Sequence, residues 1–557
     1  MRARPNTRQY LAFKAVTQSF ARHLLLPRTD RSMHSLNYGG TEVRQQLHRI
    51  PWFLPVATLL LYLLRTKYGY GESDQDDFLP LLLHLLDPSV LAADWHVSGQ
   101  AASFGPRTLF VWLAYLPAKL IGPYTTCAIL HVTSWSFSAG AVYALSYRIS
   151  ADQIAATGTV VAVMVLTPVI TLGGNDLVYS MLVPSMPAWA LALWGLVVSD
   201  RGRVVWAGVL LGLATWLQAL VGLHAAGLSG LLLLWCRKEP RAVLFFCATY
   251  VLVALPALLP QVVQHWSSSE IEPSVYHILF EYRAPHHYLI TRFEMFRSLA
   301  FSGLLALALA CLPLLEKTQR TFPVRILAIV AASCLAGFAG TELFMSEFIG
   351  KLQLFKMTVI AKVVIVAIVC HAVNHYLPDA VRRLLAPFYR WEGRTLAGTV
   401  LVAVSLLIIS PDALGLRPRP VTANSAAHHQ IEAWAQASTA KESVIAVPPS
   451  WSGVRSRAQR AIVVNIKSVP FEESRMLEWY ERMQAFAPVG SGGQGPLRVR
   501  LPEMDAAFLA LEWKTLLSLH VQYGFDYVIR RSSAPDTSGV QRVFTAGELA
   551  VYHILPR

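Results

Sequence analysis

Charged residues are scarce in this sequence. They make up 15% of its 557 residues, whereas soluble domains contain about 25% charged residues. The windows 204–220, 299–315 and 395–410 contain no charged residue at all. Each approaches the roughly 20 apolar residues that a helix needs to cross a bilayer. This composition excludes an ordinary soluble protein and predicts a polytopic α-helical membrane protein.

Cysteine is also rare, and none occurs in the polar C-terminal part. The six cysteines lie in or beside apolar windows, so the sequence indicates neither a disulfide framework nor a Cys-based zinc site. The formal net charge is +14. Because much of the Lys and Arg lies in short loops between apolar windows, it fits membrane topology, and we expect no nucleic-acid partner.

The placement of the basic residues sets the predicted topology. Eleven spans are expected, at about 51–66, 124–147, 154–171, 183–199, 204–219, 221–236, 242–260, 295–315, 324–341, 353–376 and 395–411. Residues 1–50 hold nine Lys or Arg and are interpreted as a cytoplasmic basic arm rather than a targeting segment. The apolar stretch Thr108–Ile121 is not counted, because counting it would put the later basic loops on the other side. We interpret it as a helix at the outer interface.

This topology divides the chain into three parts. The basic arm 1–50 precedes a transmembrane domain, 51–411, whose first outer loop is 67–123. Residues 412–557 follow on the outer side, where β-like runs alternate with polar helical stretches and predict a small soluble α/β domain. The runs are Val444–Val447, Ala461–Ile466, Tyr527–Arg530 and Leu549–Ile554, and the helical stretches are Glu472–Met483 and Met504–Leu519.

Four acids lie close together just after the first span: Glu72, Asp74, Asp76 and Asp77. Clustered carboxylates at the mouth of a helical bundle can bind a divalent cation or serve as a general base. The alternative is a solvated acidic loop. Asp176, in the next outer loop, would complete a carboxylate set with Asp74 for Mg²⁺ or Mn²⁺; the alternative there is a plain turn.

The order of these features resembles the GT-C superfamily, membrane glycosyltransferases that use polyprenyl-phosphate-linked sugars. Four passages are similar to an uncharacterised bacterial branch: Ser73–Pro80 with Asp87-Pro88 and Asp94 after it; Arg283 to Tyr288; Leu352 to Lys356, with Lys where an Arg is usual; and Pro448-Pro449 to Arg455, with Arg460 and Lys467. In that branch an acid lies six residues before a Pro, and Asp74 matches this position. The Trp-Trp-Asp tripeptide of oligosaccharyltransferases is absent, which disfavours asparagine-linked transfer.

The resemblance implies roles for particular residues. Asp74 would be the general base or a metal ligand, with Asp76 and Glu72 in support. The donor phosphate would be held by Arg283, His286, His287 and Lys356. The implied partners are a lipid-linked sugar donor, membrane lipids and a glycan, lipid or protein acceptor that the sequence does not name. The implied location is a bacterial inner membrane, with the C-terminal domain in the periplasm.

Two other functions stay open: a transporter or flippase of a lipid-linked substrate, and a non-catalytic scaffold with the GT-C fold. A transporter would need acids deep in its spans, and the sequence offers only the cation Lys362. If span 10 were one helix, Lys356 would lie about 7.5 Å and Lys362 about 16.5 Å deeper than Lys351. Lys356 could then extend to the interface, whereas Lys362 should face the bundle or a wet cavity.

Overall fold

The computed structural model describes residues 51, 53–66, 68–71, 73–167, 170–237, 240–267, 271–381, 426–488, 497–535 and 537–555. The basic arm, Glu72, the eleventh predicted span and the boundary at 412 lie outside these residues. The described part is a mostly helical, apolar bundle followed by a C-terminal domain with a small sheet. The predicted class, a helical membrane protein with a C-terminal α/β domain, is confirmed at this level.

The bundle is built from the apolar windows of the sequence. Its helices are α1 Phe53–Thr66, α2 Leu79–Leu86, α3 Trp95–Ala102, α4 Thr108–Ile121, α5 Pro123–Ser150, α6 Gln153–Val161, α7 Ser185–Asp200, α8 Val204–Leu217, α9 Ala219–Arg237, α10 Pro240–Ser267, α11 Pro285–Tyr288, α12 Met295–Cys311, α13 Lys317–Phe338, α14 Glu347–Leu352 and α15 Thr358–His375. Each of the ten predicted spans inside the described residues contains one of these helices, because a long apolar run can satisfy its backbone polar groups internally only as a helix.

Within the described residues, five helical segments are long and apolar enough to cross a membrane: Pro123–Ser150, Pro240–Gln264, Met295–Leu314, Lys317–Leu343 and Glu347–His375. Five other apolar helices are shorter, with 10–17 residues, and include α1, α8 and α9. The number of eleven spans therefore stays a prediction. One α-helix is shorter than its predicted span because its conformation changes: α6 ends at Val161 and passes into a π-helical turn, Ala162–Leu166, before the loop that contains Asp176.

The helix interpreted as interfacial has the bounds that the sequence predicted, Thr108–Ile121. One face of α4 is buried and packs on α2, and the Phe110 ring meets the Phe78 ring edge-on at 5.0 Å between centroids. The opposite face exposes Leu116 and Leu120. This apolar exposure suits a helix that contacts lipid on one side.

The tenth predicted span is not one continuous helix. It begins at Gln353, which has a left-handed conformation (φ +50°), and continues through the tight turn Leu354–Met357 into α15, while α14 directly precedes it. The depth expected for Lys356 from helical rise is therefore wrong, because the chain bends between Lys351 and Lys356. Lys356 lies inside the turn and is buried rather than extended to an interface.

The C-terminal domain has a five-stranded sheet with the strand order β2-β1-β3-β5-β4. The strands are β1 Val444–Ala446, β2 Ala461–Ile462, β3 Tyr527–Arg531, β4 Val540–Ala546 and β5 Leu549–Ile554, and the helices are α16 Ala426–Ser438, α17 Glu473–Phe486, α18 Leu497–Ala510 and α19 Trp513–Tyr523. β1 pairs in parallel with β2 and β3, whereas β5 is antiparallel to β3 and β4.

This domain differs from the prediction in several features. Strand β2 is limited to Ala461–Ile462, and helix α16 was not predicted. The stretch Met504–Leu519 is divided between α18 and α19, because the chain leaves helical conformation at Leu511 and Glu512. Strand β4 was missed, since its residues lack the alternation of apolar and polar side chains that marks a strand. The domain packs directly on the first loop, between α1 and α5, and this contact forms the candidate site.

Candidate functional site

A tight turn, Ser73–Asp77, presents the acids of the first loop. The buried side chain of Gln75 fixes this turn: its oxygen accepts from the Gly71 amide at 2.6 Å, and its nitrogen donates to the Leu182 carbonyl at 3.1 Å. Side chains on either side of Gln75 therefore leave in different directions. Asp74 is 49% exposed, whereas Asp76 is 1% exposed.

The buried acid, Asp76, holds the C-terminal domain. Its two carboxylate oxygens accept from the Gly453 amide at 3.1 and 3.3 Å, and one also accepts from the Asn465 side chain at 3.0 Å. These contacts leave Asp76 little freedom to meet a substrate. The prediction that Asp76 supports the chemistry stays a prediction, but its contacts are those of a residue that joins two parts of the fold.

Burial raises the pKa of Asp76 to about 6, which predicts a pH-dependent stability. The folded chain keeps a proton on Asp76 to a higher pH than the unfolded chain, so the contribution of Asp76 to the free energy of unfolding falls as pH rises from about 4 to 6. We expect the stability difference between wild type and Asp76→Asn to shrink over this range. Denaturant titrations at several pH values measure it; a difference that grew with pH would contradict the assignment.

A second acid of the first loop, Asp94, also contacts the C-terminal domain. Its carboxylate pairs with Arg455 at 2.7 Å, and both side chains are almost fully buried. It also accepts from the Ile462 amide at 3.0 Å and caps α3 through the amides of His96 and Val97. Although burial raises the pKa of Asp94, the Arg455 charge and these donors hold it below its ordinary value.

The exposed acid, Asp74, faces a lysine from the C-terminal domain. The Lys467 ammonium lies 2.7 Å from an Asp74 oxygen, and Lys467 is 30% exposed. The Lys467 charge is the largest cause that holds the pKa of Asp74 well below its ordinary value, and the Arg283 charge adds to it. Arg283 donates a long hydrogen bond, 3.5 Å, to the Lys467 carbonyl. Asp74, Arg283 and Lys467 therefore meet at one place.

Lys356 approaches the same place from the bundle. Its side chain is 7% exposed, and in the described part of the chain it makes no ion pair. Asp74 and Arg107 lie close enough to act on its charge. Arg107 forms an ion pair with Asp77 at 3.2 Å. Asp74 is the carboxylate that interacts electrostatically with Lys356. A buried lysine without an ion pair among the described residues is unusual and marks Lys356 as a candidate anion ligand.

The two adjacent histidines, His286 and His287, also lie near Asp74, Arg283 and Lys356. His287 is half-buried and donates its Nδ1 proton to the Gly173 carbonyl at 2.5 Å, and burial lowers its pKa to about 4. His287 is therefore neutral at pH 7 and can act as a hydrogen-bonding group, not as a cation. The His286 ring lies 4.1 Å from the His287 ring, centroid to centroid.

Asp176 lies in a buried ion pair with Lys362. Its carboxylate lies 2.6 Å from the Lys362 ammonium, and both side chains are at most 1% exposed. Lys362 also donates to the Thr167 carbonyl at 2.8 Å. A cation shared by Asp74 and Asp176 would have to displace Lys362, and no group of three His, Cys, Asp or Glu side chains in the described residues could hold a metal. Lys362 faces the bundle, as predicted.

Of the predicted residues, the structure brings together Asp74, Arg283, His286, His287 and Lys356, with Asp76 behind Asp74 and Asp176 further into the bundle. They lie close enough to interact electrostatically, since the charges of Arg283, Lys356 and Asp74 all affect the pKa of His287. Their chemical roles stay predictions. Glu72 lies outside the described residues.

An apolar cavity of about 430 Å³ adjoins this cluster. It lies between α12, α13 and α15, and its lining includes Phe301, Val330, Phe338 and Ile365. Part of its wall is Leu172 and Phe355, which are the chain neighbours of Gly173 and of Lys356. The volume falls in the range of about 300–1,000 Å³ that ligand pockets occupy.

Sequence reasoning missed two partners in the site. The sequence indicated Lys467 only as part of the C-terminal passage and indicated no role for Arg107. Asp74 and Lys467 are 393 residues apart, and no local signal in one sequence connects such positions. A lysine two residues after the anchoring Asn465 is recognisable only once the fold is known.

Comparisons with known proteins give a family match in the C-terminal domain. The family model described as "Domain of unknown function (DUF6798)" matches residues 426–486, which include Arg455 and Lys467. No curated protein matches the chain. Among solved structures, the chain is similar to ArnT from Cupriavidus metallidurans bound to undecaprenyl phosphate, over 93% of this chain and 99% of that chain, with 12% sequence identity and a TM-score of 0.44.

Proposed function

We propose that this protein is a membrane glycosyltransferase that moves a sugar from a polyprenyl-phosphate donor to a hydroxyl-bearing acceptor. One observation carries the proposal: a half-exposed carboxylate, Asp74, lies beside two cations, Arg283 and Lys356, for which the described residues provide no ion pair. A base and an anion site in one place are what this transfer requires. The first loop and the Arg283–Tyr288 passage, which resemble the GT-C superfamily, add support.

The chemistry needs a base on one side of the sugar and cations on the other. The acceptor hydroxyl attacks the anomeric carbon, and its proton passes to the Asp74 carboxylate. The bond from the anomeric carbon to the phosphate oxygen breaks, and its electron pair stays on the phosphate. The leaving phosphate gains negative charge, which Arg283 and Lys356 would stabilise in a site already arranged for it.

The apolar cavity supports a lipid-linked donor rather than a nucleotide sugar. Its lining is almost entirely apolar, and it borders the chain neighbours of Lys356 and Gly173. A polyprenyl chain could enter this cavity while its phosphate reaches Lys356. A nucleotide offers no such apolar group.

We place the site on the periplasmic face of a bacterial inner membrane. The support is the charge pattern of the loops. In the predicted topology the basic loops all lie on one side of the membrane, which the positive-inside rule assigns to the cytoplasm, and the first loop lies on the other side. The acceptor, a glycan, a lipid or a protein, would approach between the first loop and the C-terminal domain. If a divalent cation takes part, Asp74 would be its ligand, and Mg²⁺ or Mn²⁺ would compete with Lys467 for this carboxylate.

Replacing Asp74 by Asn is expected to lower the transfer rate about 10²–10⁴-fold, because the amide cannot accept the acceptor's proton. Purified protein in nanodiscs is incubated with a panel of polyprenyl-phosphate hexoses and pentoses and a cell-envelope acceptor fraction. The release of polyprenyl phosphate is measured. The control is Asp87→Asn, which removes another exposed acid of the first loop, one that pairs with Lys441.

The same assay separates the other functions. Full activity in the Asp74→Asn variant would remove Asp74 from the role of base. Uptake of a lipid-linked substrate into liposomes with no release of polyprenyl phosphate would identify a transporter instead. Binding of donor with neither release nor uptake would identify a scaffold.

A further inference from the structure

We propose that Lys467 is a positioning residue that alternates between two anions: it pairs with Asp74 in the empty site and with the donor phosphate once a donor is bound. This inference rests on the proposed function. It identifies Lys467 as the residue whose departure leaves the base Asp74 without its ion pair. It also assigns a task to the C-terminal domain, which is to deliver this lysine to a site built otherwise from the bundle and the first loop.

The backbone around Lys467 is held firmly against the first loop. Two residues earlier, Asn465 donates to Asp76 at 3.0 Å and accepts from the Ser468 amide at 3.0 Å. The Ile466 amide donates to the Pro449 carbonyl at 2.9 Å. Asn465 thus connects the turn that carries Lys467 to Asp76, two residues from Asp74. The position of Lys467 is set by the same contact that attaches the domain.

The Lys467 side chain, in contrast, is free to change partner. Its ammonium and the Asp74 carboxylate are 30% and 49% exposed, so their ion pair faces an opening and not the core. Half-exposed ion pairs contribute little stability, about 0–1 kcal/mol. A lysine is a compact charge on a flexible stem and can reach a second anion nearby. The Arg283 side chain, which reaches the Lys467 carbonyl, marks where that anion would sit.

The charges of the site favour the exchange. Before a donor binds, Lys467 forms an ion pair with Asp74. Arg283 and Lys356 have no ion pair among the described residues. A phosphate that arrives between them gains attraction from all three cations, while Asp74 repels it. When Lys467 turns toward the phosphate, Asp74 loses its largest source of stabilisation as an anion and becomes a stronger base. Donor binding would therefore activate Asp74 before the acceptor reacts.

The exchange requires no further reactant. The acceptor's proton moves to Asp74, and the electron pair of the broken bond moves to the phosphate, as in the proposed transfer. Lys467 stays protonated throughout and only changes the anion with which it pairs. After transfer, release of polyprenyl phosphate lets Lys467 return to Asp74, and the proton on Asp74 passes to solvent.

A binding experiment with farnesyl phosphate tests the exchange without any sugar or acceptor. Wild type, Asp74→Asn, Lys467→Gln and the double variant are compared in detergent. We expect Lys467→Gln to weaken binding about tenfold. Asp74→Asn should tighten binding, and by more when Lys467 is present than in the Lys467→Gln background. The matched control is Lys441→Gln, since Lys441 also joins the C-terminal domain to a first-loop acid at 3.2 Å.

A pH profile of the transfer reaction separates a change of partner from a merely structural role. The profile of kcat/KM reports the free enzyme and that of kcat reports the donor complex. In Lys467→Gln the acid limb of kcat/KM should move toward neutral pH by about 1 pH unit, while the acid limb of kcat stays where it is. Lys467→Arg should restore the wild-type kcat/KM limb.

The outcomes distinguish this inference from the proposed function. Farnesyl phosphate binding that is equal in wild type and Lys467→Gln would overturn the exchange and leave the transferase standing. The expected binding pattern without turnover of any donor would leave the exchange standing and remove the transferase. No binding to wild type would overturn both. Circular dichroism and thermal midpoints equal to those of Lys441→Gln ensure that lost binding is not lost folding.

Discussion

Replacing Lys362 by Met is expected to lower the free energy of unfolding by about 3–5 kcal/mol. Lys362 and Asp176 are joined at 2.6 Å with at most 1% of either side chain exposed. Without the ammonium, the Asp176 carboxylate would lose its buried cation, and an uncompensated buried charge costs far more than the pair contributes. The loss is large against the about 5–15 kcal/mol by which proteins are stable.

A denaturant titration in detergent, followed by tryptophan fluorescence, measures this loss. The double variant Lys362→Met with Asp176→Leu removes both charges and should recover most of the stability. The matched control is Lys351→Met, because Lys351 is 30% exposed and pairs with Glu473 at 2.9 Å; we expect a change of about 0–1 kcal/mol. A Lys362→Met variant as stable as this control would show that the buried pair is not formed.

The same substitution should disturb the candidate site. Asp176 lies in the same loop as Gly173 and Gly174, both with positive φ, and the Gly173 carbonyl accepts a hydrogen bond from His287. Lys362 fixes this loop to α15, so loss of the ion pair would release the acceptor that orients His287. Asp176 and Lys362 are in this sense positioning residues for the site, without contact with a substrate.

Replacing Arg455 by Met is expected to detach the C-terminal domain from the first loop. Arg455 and Asp94 are 1% and 0% exposed and lie 2.7 Å apart, so the variant would leave the Asp94 carboxylate buried without its guanidinium. The expected cost is about 3–5 kcal/mol. At about 1.4 kcal/mol per factor of ten, the opening of this contact should become about 10²–10³-fold more frequent.

Hydrogen–deuterium exchange measures this opening. We expect faster exchange in α3 and β2, because the Asp94 carboxylate accepts from amides of both. Lys441→Met is the control, since its exposed ion pair with Asp87 joins the same two parts of the chain and should leave exchange almost unchanged. Unchanged exchange in Arg455→Met would contradict the inference that the Arg455–Asp94 pair attaches the C-terminal domain to the first loop.

Much of the fold was predictable because it depends on local windows. The bounds of α4 and β5 match the sequence prediction residue for residue, and helices occur wherever the described chain has a long apolar run. The break at Gln353 was not predictable, because an apolar stretch does not reveal where a single residue adopts a left-handed conformation. Strand β4 was missed for a related reason, since its neighbour β5 provides its pairing.

The sequence placed Asp74 and Asp76 side by side after a membrane helix, and the resemblance singled out Asp74; their chemical roles stay predictions. Only the fold of the turn Ser73–Asp77 gives Asp74 an opening and Asp76 a place in the interface with the C-terminal domain. The pair of Asp176 with Lys362 could not be predicted either, because the two residues are 186 positions apart.

The sequence by itself determined that this is a helical membrane protein with an acidic first loop and a separate C-terminal α/β domain. The length of an apolar run and the positions of charged residues are properties of a local stretch of sequence. Such a stretch can be recognised without knowing the fold. Only the tertiary structure decided that Asp74 faces Lys467 and that Asp94 and Arg455 join the domain to the loop. It also decided that Lys356 is buried with no ion pair to any residue that the structure describes. The physical reason is that an ion pair forms within about 4 Å, and only folding selects which distant side chains come that close.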